Sequence, residues 1–161
     1  MKRAFAPPSV AIKIARPTSK DEGQWRGLYA DYAVSYPWSE AKADTIWSWL
    51  NAPQPIVEGF LAKLDSGTTV GFIHFKAVPR TIHACYQGYI EDLYVHPDYR
   101  RSGIAMALIQ SVVETAKERG WPTIRWISRK NNHAARSLYN RIAKETDRIT
   151  YELSVEEFDR E

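Results

Sequence analysis

The sequence predicts an α/β fold: a mixed, mostly antiparallel sheet with a central parallel β-α-β unit, in a single domain. Short runs rich in β-branched and aromatic residues recur at residues 10–15, 56–64, 69–78 and 83–95, as strands do. Ile104, Leu108, Ile109, Val112, Val113 and Ala116 then form an apolar stripe at helical spacing. This stripe separates the run ending at Val95 from another near residues 123–128, and such a strand, helix, strand order makes a right-handed crossover between parallel neighbours. With 161 residues, 44% of them hydrophobic, the chain suits one substantial core and is short for two.

Each element has its own punctuation. The first strand ends at Pro17-Thr18, where Thr18 offers a helix cap. Trp25, Leu28, Tyr29, Tyr32 and Tyr36 follow at helical spacing until Pro37 stops the pattern. A second helix starts after Ser39, with Ala43, Ile46, Trp47 and Leu50 on one face, and closes at Asn51-Ala52-Pro53. Asp65-Ser66-Gly67 reads as the hairpin turn between the next two strands. The run 83–95 alternates poorly from Gly88 to Asp92, which marks a bulge or twist that re-aims a polar side chain. His96-Pro97-Asp98 breaks this strand, and Gly120 with Pro122 ends the long helix. Ala135, Leu138, Tyr139 and Ile142 mark a shorter helix capped by Asn131 or Asn132, and residues 149–155 supply a last strand.

Composition removes several classes of function. The 22 basic and 19 acidic residues leave a net charge of +3, an ordinary mixed surface more than a dedicated polyanion binder. The arginines are dispersed with no recognition motif beside them, so nucleic acid is not an expected partner. The single Cys85 rules out an internal disulfide framework, favours a reducing cytoplasm, and reads as a buried structural thiol beside Tyr86. His74, His83, His96 and His133 lack metal-ligand spacing; His96 shapes the strand exit and His133 the first turn of a surface helix. No stretch approaches membrane-spanning length, and the basic opening from Met1 to Pro8 lacks the apolar run of a secretory signal. Repeats and low-complexity segments are absent, and Glu156, Glu157, Asp159 and Glu161 give the terminus the character of a solvated tail.

The most informative stretch is Arg100-Arg101-Ser102-Gly103-Ile104-Ala105, between a strand and the start of the long helix. Backbone N–H groups there lack helical partners and can receive phosphates, with the helix dipole favouring the anion. Gly103 lets a ligand approach the backbone, Ala105 leaves the first turn uncrowded, and Arg100 and Arg101 add charge. No Lys-Ser or Lys-Thr follows the glycine and no three-glycine spacing is present, which excludes a nucleoside-triphosphate loop and a dinucleotide fingerprint. Just upstream stand paired carboxylates, Glu91 and Asp92, as acid/base or cation-steering candidates. The first two helices concentrate Trp25, Tyr29, Tyr32, Tyr36, Trp38 and Trp47, an aromatic core or the walls of a pocket, with Asp31, Glu40 and Asp44 adding charge.

Taken together, these motifs resemble the GCN5-related N-acetyltransferases. Arg100, Gly103 and Ala105 satisfy that family's pyrophosphate signature, and Asn132, Ala135 and Tyr139 match a second segment, with Leu138 before the tyrosine. Two departures stand out: Arg101 occupies a position where glycine is frequent, and Ala143-Lys144 replaces a common Gly-Phe. The segment from Ile90 to Val95 is similar to the diamine and polyamine branch and to small fungal histone and polyamine acetyltransferases.

The resemblance implies a single-domain acyl-CoA N-acyltransferase fold over residues 9–155, with 1–8 and 156–161 as terminal tails. It implies acetyl-CoA as cosubstrate without a metal, bound by Leu93, Tyr94, Val95, Arg100, Arg101, Ser102, Gly103, Ile104, Ala105, Asn132 and Ala135. Glu91 becomes the expected base or water organiser, with Asp92 competing for the role, and Tyr139 the group at the departing sulfur. A strand amide near Leu93 or Val95 would polarise the carbonyl. Tyr29, Tyr32, Trp38 and Asp92 are the expected acceptor contacts. The implied acceptor is a primary amine, with a polyamine as a candidate; protein lysine, an aminosugar, or a non-catalytic acetyl-CoA-binding regulator are the alternatives. A homodimer completes what the resemblance implies, and the single Cys85 places the expectation in the cytoplasm.

Overall fold

A computed structural model describes residues 7–158. The tail assignments at residues 1–6 and 159–161, including Asp159 and Glu161, lie outside the described residues. The chain forms two compact units, Met1–Ile127 and Ser128–Glu161.

The first unit carries a five-stranded sheet in the order β1-β2-β3-β4-β5. Its strands are β1 (Ile12–Ala15), β2 (Glu58–Leu64), β3 (Thr69–Arg80), β4 (Cys85–Val95) and β5 (Ile124–Arg125). The pairs from β1 to β4 are antiparallel, and β4 pairs with β5 in parallel at Gly88↔Ile124 and Tyr89↔Arg125. The parallel pair therefore closes the sheet at its β5 end. Residues 149–155, the expected last strand, contribute none: Ile149, Tyr151 and Leu153 alternate as a strand would, yet all are exposed. Alternation shows that a segment can pleat; pairing requires a neighbouring edge. The expected strand at 123–128 is likewise cut to two residues.

Helices α1 (Glu22–Tyr32) and α2 (Glu40–Asn51) cover one face of the sheet and α3 (Ile104–Glu118) packs on β1 to β4. Under α1 and α2, Trp25, Leu28, Ala43, Trp47 and Leu50 bury with Leu61 and Phe72, cross-strand neighbours on that face. The α3 stripe buries Ile104, Leu108, Ile109, Val112 and Ala116, and Ile104 reaches the Gly71–Val95 pair. At the start of α1, Thr18 gives both its N–H and its hydroxyl to Asp21 at 2.8 Å, and Lys63 reaches the same carboxylate at 2.5 Å. Burial opposes the charge on Asp21, but these donors outweigh it and hold its pKa below the usual value. Tyr36 falls beyond α1 in extended backbone, after a 3-10 turn at Ala33–Ser35. Ser39 caps α2, accepting from the Lys42 N–H at 3.3 Å.

The second unit contains α4 (His133–Ile142) and a short α5 (Val155–Phe158). Asn132, one of the two expected caps, accepts from the Ala135 N–H at 3.4 Å. In the solvated-tail region, residues 155–158 form helix.

Candidate active site

One extra residue organises the site. In the β3–β4 ladder His74 faces Asp92 and Phe75 faces Ile90, so Glu91 is the unmatched residue of a β-bulge. Residues 72, 74 and 76 of β3 point toward α1 and α2, and their neighbours on β4 point the same way. Ordinary alternation would send Glu91 and Asp92 to opposite faces. The bulge brings both to the α1/α2 face: Asp92 bonds His74 and Glu91 pairs with Lys76.

The same insertion reverses the backbone. The Gly88 N–H reaches Thr123 O on the β5 side, whereas the His96 N–H, eight residues on, reaches Val70 O on the β3 side. Even spacing on a regular strand would keep these N–H groups on one edge. Counting back by twos from His96 keeps the Tyr94 and Asp92 amides on the β3 side and leaves the intervening Leu93 and Val95 amides toward the β5 edge, which β5 itself covers only at Gly88 and Tyr89. Arg100 confirms the direction, its Nε donating to the Val95 carbonyl at 3.0 Å.

After β4 the chain passes a 3-10 turn, Pro97–Tyr99, where the His96 ring accepts from the Asp98 N–H at 3.3 Å. Arg101 then takes φ 63° and Gly103 φ 88°, both left-handed. That explains the departure at Arg101: the turn demands a conformation that glycine adopts freely and arginine adopts at a cost. Ser102 donates its hydroxyl to the Tyr99 carbonyl and accepts at its own carbonyl from the Ser9 N–H at 2.9 Å. A Cβ on Gly103 would stand 3.1 Å from Pro8 Cα, so the face of this glycine meets the N-terminal segment. The Ile104 and Ala105 amides begin α3 without i−4 carbonyls inside the helix. Arg100 also packs over the Tyr94 ring at 5.6 Å.

Beside the carboxylates lies a cavity of about 330 Å³, walled by Tyr29, Ile46, Trp49 and Val57 and floored by His74, Lys76, Glu91 and Asp92. Two expected acceptor contacts, Tyr29 and Asp92, line it. Tyr32 stands behind, donating its hydroxyl to Asp92 Oδ1 at 2.8 Å, and Trp38 packs on Tyr29 at 5.4 Å between centroids. Burial, and then the Asp92 charge, pushes the Tyr29 hydroxyl up to about 12 and raises Tyr32 further, so both keep their protons at neutral pH.

Glu40 and Asp44, expected to add charge here, instead grip Arg26 at 3.2 and 2.5 Å, and Asp31 is exposed away from the cavity lining. An ionic partner on the neighbouring helix α1 claimed them. Cys85 is half-buried at the start of β4, not fully buried, because that position lies near the hairpin end. Sequence reasoning missed Lys76, Ile46, Trp49 and Val57 and gave His74 no role. The helical phase placed Ile46 on the buried face, while Lys76 and His74 required the strand parity and the bulge together.

In the second unit, Asn132 caps α4, Ala135 donates its N–H to that cap, and Tyr139 is half-buried about two helical turns beyond Asn132. Burial raises the Tyr139 hydroxyl above its ordinary pKa.

Comparison with known proteins gives the family. The Acetyltransferase (GNAT) family matches residues 24–143, and the chain belongs to that family. It is an acetyl-CoA-dependent N-acetyltransferase. It is 28% identical to D-amino-acid N-acetyltransferase HPA3 of Saccharomyces cerevisiae over 147 residues, 88% of this chain and 89% of that one. An acetyltransferase of Yersinia pestis (strain Pestoides F) is 30% identical over 68% of this chain and 71% of its own. Among solved structures, the ribosomal-protein-alanine N-acetyltransferase of Brucella melitensis biovar Abortus 2308 superposes with a TM-score of 0.76 at 28% identity, covering 89% of this chain and 99% of that chain. No helix among the described residues is long and apolar enough to cross a membrane.

Proposed function

We propose that the acceptor is a small cationic primary amine, such as a diamine or polyamine, acetylated by direct attack on the thioester. The observation that carries this reading is the bulge that turns Glu91 and Asp92 into one aromatic-walled cavity. Two carboxylates against one lysine favour a cation in that space, and the Tyr29 and Trp49 rings suit an alkylammonium chain.

Acetyl-CoA supplies the thioester carbonyl. Its pyrophosphate suits the amides at Ser102 to Ala105, with the Arg100 and Arg101 charges beside them. The outward Leu93 and Val95 amides suit the carbonyl oxygen, where negative charge develops during attack. Glu91 takes the proton that the ammonium must lose before its nitrogen can act as nucleophile. Tyr139, kept protonated by burial, donates its hydroxyl proton toward the departing sulfur. The single Cys85 suits a reducing cytoplasm, and a homodimer, as the family resemblance implies, is tested by size-exclusion chromatography with light scattering.

Lys76 favours a second reading. An amino acid acceptor would set its ammonium against Asp92 and its carboxylate against the Lys76 ammonium, displacing Glu91. The name of the yeast relative points the same way. Thiol release from acetyl-CoA, measured with diamines, polyamines, D- and L-amino acids, aminosugars and lysine peptides, tests both. Fastest release with diamines supports the first reading. Fastest release with amino acids, lost in Lys76→Ala, supports the second. Acetyl-CoA binding with no amine-dependent release in the whole panel overturns both in favour of a regulator.

A further inference from the structure

The polar core behind the cavity has a fixed direction. The buried Trp25 indole N–H points at His74 Nε2, 3.0 Å away. An indole nitrogen only donates, so His74 Nε2 holds a lone pair and the ring carries its proton on Nδ1. That N–H faces Asp92 Oδ2 at 2.9 Å, and the Tyr32 hydroxyl donates to Asp92 Oδ1 at 2.8 Å. Both oxygens of Asp92 therefore meet a donor, and a third residue outside the cavity sets the direction.

We propose that His74, held in one tautomer by Trp25, is a positioning residue that orients the Asp92 carboxylate to grip the acceptor's ammonium and leaves proton removal to Glu91. The proposal rests on the amine-acceptor reading above. A proton arriving on Asp92 Oδ2 would confront the His74 N–H donor to donor. To relieve that clash the ring would move its own proton to Nε2, where the Trp25 N–H already points. Each route forfeits a hydrogen bond beside a histidine that is 1% exposed, where water cannot replace it. Glu91 differs because its partner is the half-exposed Lys76, on a flexible stem able to turn to solvent when Glu91 is neutralised.

The lock itself is read without turnover. Long-range proton–nitrogen NMR of the labelled chain near neutral pH, with His74 assigned through His74→Asn, should show a protonated Nδ1 and a bare Nε2. A ring protonated on Nε2, or on both nitrogens, overturns the proposal.

The second measurement uses whichever amine the panel identifies; if none is acetylated, the function reading fails while the tautomer result still decides the lock. His74→Phe removes the donor to Asp92 and should raise the amine KM roughly ten-fold or more. The KM for acetyl-CoA should hold, and kcat should change little. His74→Asn, whose amide N–H falls near the Nδ1 position, should recover most of the loss. Tyr32→Phe removes the other donor without disturbing the ring and should reproduce the amine KM effect if His74→Phe does not fold. Loss confined to kcat, equal loss in the Phe and Asn variants at unchanged melting temperature, or an unmoved amine KM in Tyr32→Phe would each overturn the assignment.

Discussion

Glu91 and Arg101 each occupy a place where one backbone decision sets a side chain's task. As the bulge residue, Glu91 faces the cavity with Lys76. Glu91→Gln keeps the size and removes the base, so turnover of a protonated amine near neutral pH should fall roughly 10²-fold or more. The defect should shrink as pH rises and more amine arrives neutral. If Glu91 only steers, the loss will appear in the KM of a diamine and fade with added salt; a pH and salt series on the folded variant separates the two. At Arg101, φ 63° costs an arginine more than a glycine. Arg101→Gly should stabilise the fold by about 0.5 kcal/mol after the added freedom of the unfolded chain is counted, while weakening acetyl-CoA binding through the lost charge. Denaturant melts and calorimetric titration read the opposite signs. Glycine's frequency at this position in the family is thus a matter of φ, and the sequence shows the departure without its reason.

Among the elements, Glu58 adds ion pairs that tie β2 to the ends of β1 and α3. Its buried carboxylate accepts from Arg16, just past β1, at 2.8 Å and from Arg119, at the end of α3, at 2.5 and 2.8 Å. Burial opposes this charge, but the two guanidinium groups prevail and hold the pKa below the usual glutamate value. A depressed folded pKa means stability present above the unfolded value of about 4.3 and lost as pH falls through the folded one. Glu58→Gln should therefore cost about 1–3 kcal/mol near neutral pH, the partly exposed arginines softening the penalty. The gap between wild type and variant should close below about pH 4. Urea melts across that range check it; a gap that widens on acidification would contradict the pairing.

For the whole molecule, binding at the α3 turn should appear as stability. A ligand bound only by the folded chain adds about 2.7 kcal/mol at a hundred times its Kd, so acetyl-CoA should raise the melting temperature. Gly103→Val forces a β-branched residue into φ 88° and drives its Cβ toward Pro8. It should lower the unliganded melting temperature and reduce the acetyl-CoA shift; an unchanged shift in a folded variant would remove this turn from the binding site. The sequence by itself determined the helices, whose apolar phase is local, the hairpin at Gly67, and the turn motif from Arg100 to Ala105. It also announced an irregularity between Gly88 and Asp92, because broken alternation is visible in one strand. Only the tertiary structure decided its consequence, since the facing of Glu91 and Asp92 depends on which β3 residue each opposes. The role of His74 depends on an indole 49 positions away, and the loss of Glu40 and Asp44 to Arg26 depends on two helices meeting. Residues 149–155 teach the same lesson in reverse: their alternation is written in the chain, but a strand exists only where another edge offers hydrogen bonds, and that is a property of the fold.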